Sequence, residues 1–235
     1  MINKCQVSVI FPVYNERDSI EIVLVEWKNA LDAMHITHKL IVCEDGSKDG
    51  TKELLKKITP KYDLLLNSKE SRRGYGGAVI DGILAADSNF ILCVDSDGQC
   101  DAKDFGKFWE KRNMADVLIG WRVKRADAAQ RKLFSLLFKG VHKILFRAKI
   151  HDSSCPFVLF KKDTVLPFLN YLTFLREGFW WGFVGMCMKK TLSLYEIPVN
   201  HRQRLVGDTQ VYKLNKVPLI ALRNLTGLIK LKLAK

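Results

Sequence analysis

The chain has 235 residues, 48% of them hydrophobic and 27% charged, with 15 glycines and 6 prolines. That composition excludes disordered and collagen-like chains, and the length suits one sizeable core rather than two full domains. The net charge of +13 is uneven: residues 121–149 hold nine basic residues and one acid, residues 200–235 hold eight and one, and the remainder sums to −2.

Two cationic segments on a near-neutral body point to an anionic partner such as a phosphate, a nucleic acid or a membrane surface; solvated helix faces are the plainer source of such runs. The longest uncharged stretch, 164–175, is too short to span a bilayer. The opening MINKCQVSVIF leads into a strand-like pattern without a signal-peptide core. The six cysteines form no CxxC pair, so reduced, mostly buried thiols in a cytosolic protein are expected.

In chain order, apolar runs at 7–11, 39–43, 62–66, 90–94 and 116–120 predict short buried strands. Helical patterns fall near 19–33, 50–58, 74–86 and 102–112. Strands alternating with helices predict an α/β fold with a mainly parallel sheet. A further helix is expected over 128–147. Its apolar positions are Leu133, Phe134, Leu137, Phe138, Val141, Ile144 and Leu145, with Arg131, Lys132, Ser135, Lys139, His142 and Lys143 on the opposite side. The tail at 217–233 mixes Leu and Ile with Arg223, Lys230 and Lys232, a composition suited to a membrane interface.

In a parallel sheet, ligands gather beyond the carboxyl ends of the strands. After the first strand comes Pro12-Val13-Tyr14-Asn15-Glu16, and after the second Glu44-Asp45-Gly46-Ser47. After the third comes Arg72-Arg73-Gly74-Tyr75-Gly76-Gly77, and after the fourth Asp95-Ser96-Asp97-Gly98-Gln99. Each alone is an ordinary turn composition. Four at corresponding positions form a set.

Asp95 and Asp97 flank one residue, and two close carboxylates repel unless a cation lies between them. Hard divalent ions prefer such oxygen ligands, so Mg²⁺ or Mn²⁺ held together with substrate phosphates is expected. Asp101 suits a helix cap. Asn15, Glu16, Asp45 and Gly46 supply acceptors for a base and ribose, while Arg72, Arg73 and the Gly74 turn supply donors for a diphosphate. The glycine run has no GK[ST] after it and does not follow the first strand, so it fits neither a Walker motif nor a dinucleotide fingerprint. A nucleic-acid binder would leave the acidic strand ends unexplained and lacks stacking motifs.

Together, PVYNE, EDGSKDGT, RRGYGGA and VDSDGQ resemble the GT-A glycosyltransferases of family 2. Later segments resemble the polyprenyl-phosphate (dolichol-phosphate) mannosyl- and glucosyltransferase branch. They are Gly120-Trp121-Arg122-Val123-Lys124-Arg125, Arg131-Lys132-Leu133-Phe134-Ser135, His151-Asp152-Ser153-Ser154-Cys155-Pro156-Phe157, and the run from Pro198 to Gly207. The resemblance implies that Pro12, Tyr14, Asn15, Glu16, Asp45, Gly46, Arg72, Gly74, Asp95 and Ser96 hold the donor nucleotide. It implies that Asp95, Asp97 and Gln99 hold the metal and diphosphate. Arg122, Arg131, Ser135, Arg202 and Arg204 would bind the acceptor phosphate, with Asp97, Arg122 and Arg131 acting at the reaction centre.

The sequence departs from the family pattern at Gln99, where an acidic residue is usual, and at 177–183, which offers no aspartate base. A phosphate acceptor is largely dianionic at neutral pH and needs orientation rather than a base. The expectation is one α/β domain of GT-A type over 1–215, in which 128–147 is an acceptor and membrane helix, followed by a basic amphipathic tail, 216–235. It would transfer a hexose with inversion from a nucleotide sugar, GDP-mannose first and UDP-glucose second, to a polyprenyl phosphate at the cytosolic membrane face. Transfer to a saccharide hydroxyl is the alternative. A membrane-anchoring partner subunit is compatible with this reading, and no nucleic-acid partner is expected.

Overall fold

The computed structural model describes residues 5–123, 129–147, 149–175, 177–205 and 217–234, with backbone alone for 129–137 and 217–218. The chain opens with β1 (Val7–Val13), α1 (Ile20–Ala33), β2 (His38–Asp45), α2 (Thr51–Tyr62), β3 (Leu65–Lys69), α3 (Tyr75–Ala85) and β4 (Phe90–Cys93). There follow a 3₁₀ turn (Ala102–Asp104), α4 (Phe105–Lys111), β5 (Val117–Arg122), α5 (Ala129–Phe146) and β6 (Val158–Lys161). The last part holds α6 (Lys162–Val165), a second 3₁₀ segment (Leu166–Phe174), α7 (Phe179–Lys189), β7 (Leu194–Val199) and α8 (Val217–Leu233).

All seven strands form one sheet in the order β3-β2-β1-β4-β6-β5-β7. β1 pairs in parallel with β2 and β4, β2 with β3, and β5 with β7. β6 runs antiparallel between β4 and β5. Two reversals restore the direction, so β5 and β7 end at the same edge as β1, β2 and β4. This delivers Arg122 and the segment after Val199 to the edge that already carries the acidic motifs.

Every residue of β1 is buried, as a central parallel strand flanked by helices requires. α3 lies close against it at Gly82, where a Cβ would stand 2.4 Å from Ile10 Cγ2 and 3.0 Å from Cys43 Sγ. On the other face Trp27 of α1 is fully buried among Phe11, Phe105 and Phe157. Pro198 lies in β7, the edge strand, where a missing N–H costs least. All six cysteines are free thiols, five of them buried and Cys5 partly so.

Three sequence expectations change. The third strand begins at Leu65 rather than 62, because α2 continues through Pro60 to Tyr62. Tyr62 is then anchored to α1, its hydroxyl donating to Glu21 Oε1 at 2.7 Å. β6 and β7 are additions to the expected strands; Val158-Leu159-Phe160 is an apolar run too short to separate from a helix segment.

The third change concerns α5. His142, expected on its polar side, is buried (1% exposed), while Phe138 and Leu145 pack against the core and Ile144 is 82% exposed. The inward face over this stretch therefore runs through Phe138, His142, Leu145 and Phe146, and Ile144 of the expected stripe points outward. Lys124, Arg125 and the side chains of Arg131, Lys132, Leu133, Phe134, Ser135 and Leu137 lie outside the described residues.

α8 packs against α7 and α5, with Leu228 and Leu231 inside the main core. The ammonium of Lys189 on α7 donates to the carbonyls of Leu231, Lys232 and Ala234, closing the α8 C-terminus. Among the described residues no helix is long and apolar enough to cross a membrane.

Candidate active site

The loops after β1, β2, β4 and β7 converge at one edge of the sheet. At its centre Asp97 is 8% exposed and Glu16 9%. Arg204, from the segment after β7, lies between them: Nη1 donates to Asp97 Oδ2 at 3.2 Å, and Nη2 donates to Glu16 Oε1. Burial pushes the Glu16 carboxyl pKa above its ordinary value, against the opposing pull of Arg204 and of Ser19, whose hydroxyl donates to Oε2 at 2.8 Å.

The segment carrying Arg204 is laid across the acidic motif. Cys100 and His201 form an antiparallel bridge. The N–H groups of Arg202 and Leu205 donate to the carbonyls of Gln99 (3.0 Å) and Asp97 (3.2 Å). Gly98 permits this docking: its φ is +78°, and a Cβ there would lie 2.5 Å from Leu205 Cγ.

Asp95 lies deeper. Its Oδ1 accepts from the Tyr75 hydroxyl at 2.8 Å, and the Tyr75 oxygen accepts from Trp180 Nε1 at 2.8 Å. Burial first, and then the charge of Asp97, push the Asp95 pKa upward. Burial and the Asp95 carboxylate push the Tyr75 phenol well above its ordinary range, so it stays a donor.

On the β2 side, Asp45 is buried and accepts from the N–H groups of Arg73 (2.6 Å) and Gly74 (2.7 Å). The expected donor-binding acid thus also fixes the glycine turn that starts α3. Glu44 accepts from Ser47 N–H at 2.5 Å and from the Ser68 hydroxyl at 2.6 Å. Gly46 packs its backbone against residues 71 and 72 at φ +72°. The Arg72 guanidinium lies 3.8 Å from the Tyr14 ring centroid, a cation–π stack with a flat face beside the β2 loop.

Several expected residues serve other partners. Asn15 accepts from Lys48 N–H at 2.9 Å and its own N–H donates to Ser47 Oγ at 3.0 Å, tying two loops together. Ser96 donates to the Pro12 carbonyl at 2.8 Å, joining the ends of β1 and β4. Gln99 turns its amide to the Arg202 carbonyl (3.2 Å) rather than toward Asp95. Arg202 donates to Glu26 Oε2 and to the Cys100 carbonyl, each at 2.9 Å. Its head is thus directed to α1, unlike that of Arg204. Asp101 caps the 3₁₀ turn as expected, accepting from Lys103 N–H at 3.0 Å.

Arg122 is buried and held edge-on by Asp152, through Nε to Oδ2 (2.7 Å) and Nη2 to Oδ1 (2.9 Å), with Ser154 at 2.8 Å. Its charge is therefore largely matched within the protein, which the sequence reading of a phosphate ligand did not foresee. Glu196 on β7 accepts from the N–H groups of His151 and Asp152, fixing that loop, and His151 stacks on Trp121 at 4.4 Å. The first turn of α7 carries no acid. Trp180 and Trp181 are both buried, the second against His142 and Phe138.

Tyr75, Trp180 and Asp152 each lie in a segment singled out by its sequence, and each has a partner that motif spacing does not reveal. Among the described residues no three His, Cys, Asp or Glu side chains form a metal-binding cluster. Two carboxylates suffice where substrate phosphates complete the shell of a hard divalent ion. Asp95 and Asp97 stand one residue apart just beyond β4 and offer the carboxylate oxygens that a hard divalent ion takes, so the pair fits such an ion.

The family model for glycosyl transferase family 2 matches residues 8–166. Over 219 residues the chain is 28% identical to a dolichyl-phosphate beta-glucosyltransferase of Dictyostelium discoideum, covering 85% of this chain and 67% of that protein. A dolichyl-phosphate beta-glucosyltransferase of Trichomonas vaginalis is 29% identical over 186 residues; the alignment covers 70% of this chain and spans 56% of the relative's length.

Among solved structures, mannosyl-3-phosphoglycerate synthase from Rubrobacter xylanophilus superposes with a TM-score of 0.71 at 12% identity, over 96% of this chain and 73% of the other. Glucosyl-3-phosphoglycerate synthase from Mycobacterium tuberculosis, in complex with Mn²⁺, uridine diphosphate and glucosyl-3-phosphoglycerate, gives 0.70 at 16% identity, over 97% and 80%. These likenesses show the fold, the α/β GT-A arrangement expected from the sequence. The family match spans well over half of the sequence, and the chain belongs to glycosyl transferase family 2.

Proposed function

We propose that this chain transfers glucose from UDP-glucose to a polyprenyl phosphate, with inversion, in a single displacement at the anomeric carbon. The observation that carries the reading is the meeting of Asp95, Asp97, Glu16 and Arg204 at the carboxyl edge of the sheet, a site built to handle a diphosphate with a cation. The likeness to two dolichyl-phosphate beta-glucosyltransferases supports glucose over the mannose that the sequence placed first. The absence of an acid in the first turn of α7 suits an acceptor that arrives already ionised.

Asp95 and Asp97 would hold Mg²⁺ or Mn²⁺, which supplies positive charge to the departing diphosphate. Mn²⁺ accompanies UDP in the mycobacterial synthase. Tyr14 with Arg72 offers a stacking face to the base, and the Asp45–Gly74 turn shapes the wall beside it. Arg204 would exchange its two carboxylates for donor phosphate oxygens, keeping a positive charge where negative charge develops. Arg122, Arg131 and Ser135 remain the proposed acceptor-phosphate group, with Arg122 aimed by Asp152. Approach to the lipid would be from the cytosolic membrane surface.

The deciding experiment screens nucleotide sugars for diphosphate release in the presence of a short polyprenyl phosphate and Mn²⁺. UDP-glucose should give acceptor-dependent release of UDP. Release with GDP-mannose alone would return the donor to mannose, and no release with any donor would remove the transferase reading.

A further inference from the structure

The Trp180–Tyr75–Asp95 chain runs from the edge of the main core to the acid motif, and its polar groups are matched to one another. One indole N–H, one phenol and one carboxylate oxygen meet at 2.8 Å twice, and each group comes from a different element. Tyr75 is the first residue of α3, Asp95 follows β4, and Trp180 lies in the first turn of α7. Tyr75 is positioned from two sides. Behind it, Asp45 grips the N–H groups of Arg73 and Gly74; ahead of it, Trp180 supplies the only rotational choice the hydroxyl needs, by occupying an acceptor lone pair.

We infer that Tyr75 is a positioning residue for the donor's metal–diphosphate group, oriented by Trp180, and that it acts by fixing the Asp95 carboxylate so that Oδ2 faces the ligand. Oδ1 is taken by the phenol, and among the described residues no protein hydrogen bond is made to Oδ2. A carboxylate held by one oxygen is biased to offer its other oxygen to the ligand. Such supporting bonds to a metal ligand commonly govern affinity by tenfold or more.

The arrangement also joins the two halves of the donor site. Asp45 lies beside the Tyr14–Arg72 stack and Asp95 beside the acid motif, and the Gly74–Tyr75 pair is the covalent link between their hydrogen bonds. A nucleotide that settles against the β2 loop would therefore press on the same turn that aims Asp95. Neither relationship follows from the spacing of the motifs, because Trp180 lies 105 residues from Tyr75.

This inference rests on the donor reading above, and the test separates the two. Binding of Mn²⁺ in the presence of UDP is followed by electron paramagnetic resonance in wild type, Tyr75→Phe and Trp180→Phe, alongside metal-free UDP binding by calorimetry. Wild type should bind both. Tyr75→Phe should weaken Mn²⁺ binding about tenfold, while metal-free UDP affinity stays within about twofold and the melting temperature is preserved. Trp180→Phe, which keeps the phenol but frees its rotation, should cost about threefold.

Wild-type Mn²⁺ affinity in Tyr75→Phe overturns the inference and leaves the donor reading standing. Equal loss of metal-free UDP binding also overturns it, since that is the mark of a merely structural role. If Tyr75→Phe fails to fold, Trp180→Phe decides by the same readout, unchanged affinity counting against the inference. Failure of the wild type to bind either ligand removes the donor reading and this inference with it.

Discussion

Arg204 reaches Asp97 across 107 residues of sequence and fills, with its guanidinium, the space between that carboxylate and Glu16. The contact is possible because the strand before Arg204, β7, ends at the same edge as β4, and because Gly98 leaves room for Leu205. A cation already present between two buried acids offsets their repulsion without any ligand. It also links the segment at 201–205 to the acid motif by charge as well as by backbone bonds.

Replacing Arg204 should therefore act on stability and on metal dependence together. Arg204→Gln leaves Glu16 and Asp97 without their shared partner, which costs about 1–3 kcal/mol for partly buried charge-assisted bonds. The sign is expected to reverse in part with Mn²⁺, which can replace the lost charge. Thermal melts in EDTA and in Mn²⁺ check this: the variant should regain more stability from Mn²⁺ than the wild type does. Equal gains in both proteins would show that the ion and Arg204 do not share these carboxylates.

The strand-end motifs made most of the cluster at the carboxyl edge legible in the sequence, because each motif follows its own strand directly and parallel strands end together. The contributions from β5 and β7 were harder to read. β6 is a four-residue strand antiparallel to both its neighbours, and its apolar run carries no period to distinguish it. Arg122 was found by its motif, but the fork it makes with Asp152 joins residues 30 apart and has no local signal. His142 was misplaced for a related reason. Helical periodicity put it on the polar side of α5, whereas the helix turns that side to Trp181 and Ser153, where one ring nitrogen meets a backbone carbonyl and the other a hydroxyl. A polar residue satisfied by two partners can occupy a core position that hydrophobic patterning cannot see.

His142 gives the fold a pH dependence with a definite sign. Burial pushes its pKa down from 6.5 to about 4, against the weaker pull of the Trp181 carbonyl. The folded chain thus keeps the ring neutral where the unfolded chain would protonate it. The unfolded state binds more protons between about pH 6.5 and pH 4, so stability falls as pH is lowered through that window, by roughly 3 kcal/mol in full. Urea unfolding at pH 7 and pH 4.5 should show a larger loss for the wild type than for His142→Gln, whose amide can still donate to the Trp181 carbonyl. Parallel losses in the two proteins would assign the acid sensitivity to carboxylates instead.

The last prediction concerns the membrane surface, where the structure redirects the sequence reading. Phe138 and Leu145 of α5 pack inward, and their replacement by Asp should destabilise the fold rather than release a lipid contact. Besides Ile144 of α5, exposed apolar side chains lie on α8: Leu219, Leu222, Ile229 and Leu233 are 41–75% exposed, and Arg223, Lys230 and Lys232 are exposed alongside them. Each basic residue near an anionic leaflet contributes about 1 kcal/mol, and inserted leucine or isoleucine side chains add about 1.5–3 kcal/mol each when fully buried. Together these would favour reversible attachment of α8 to an anionic surface. Sedimentation with phosphatidylserine-containing vesicles should show binding that weakens as salt is raised. The double variant Leu222→Glu, Ile229→Glu should lose most of that binding with an unchanged melting temperature, because neither side chain is buried. It should also raise the KM for a long-chain polyprenyl phosphate more than for a short, detergent-soluble one. Vesicle binding equal to wild type in the double variant would exclude α8 as the attachment surface.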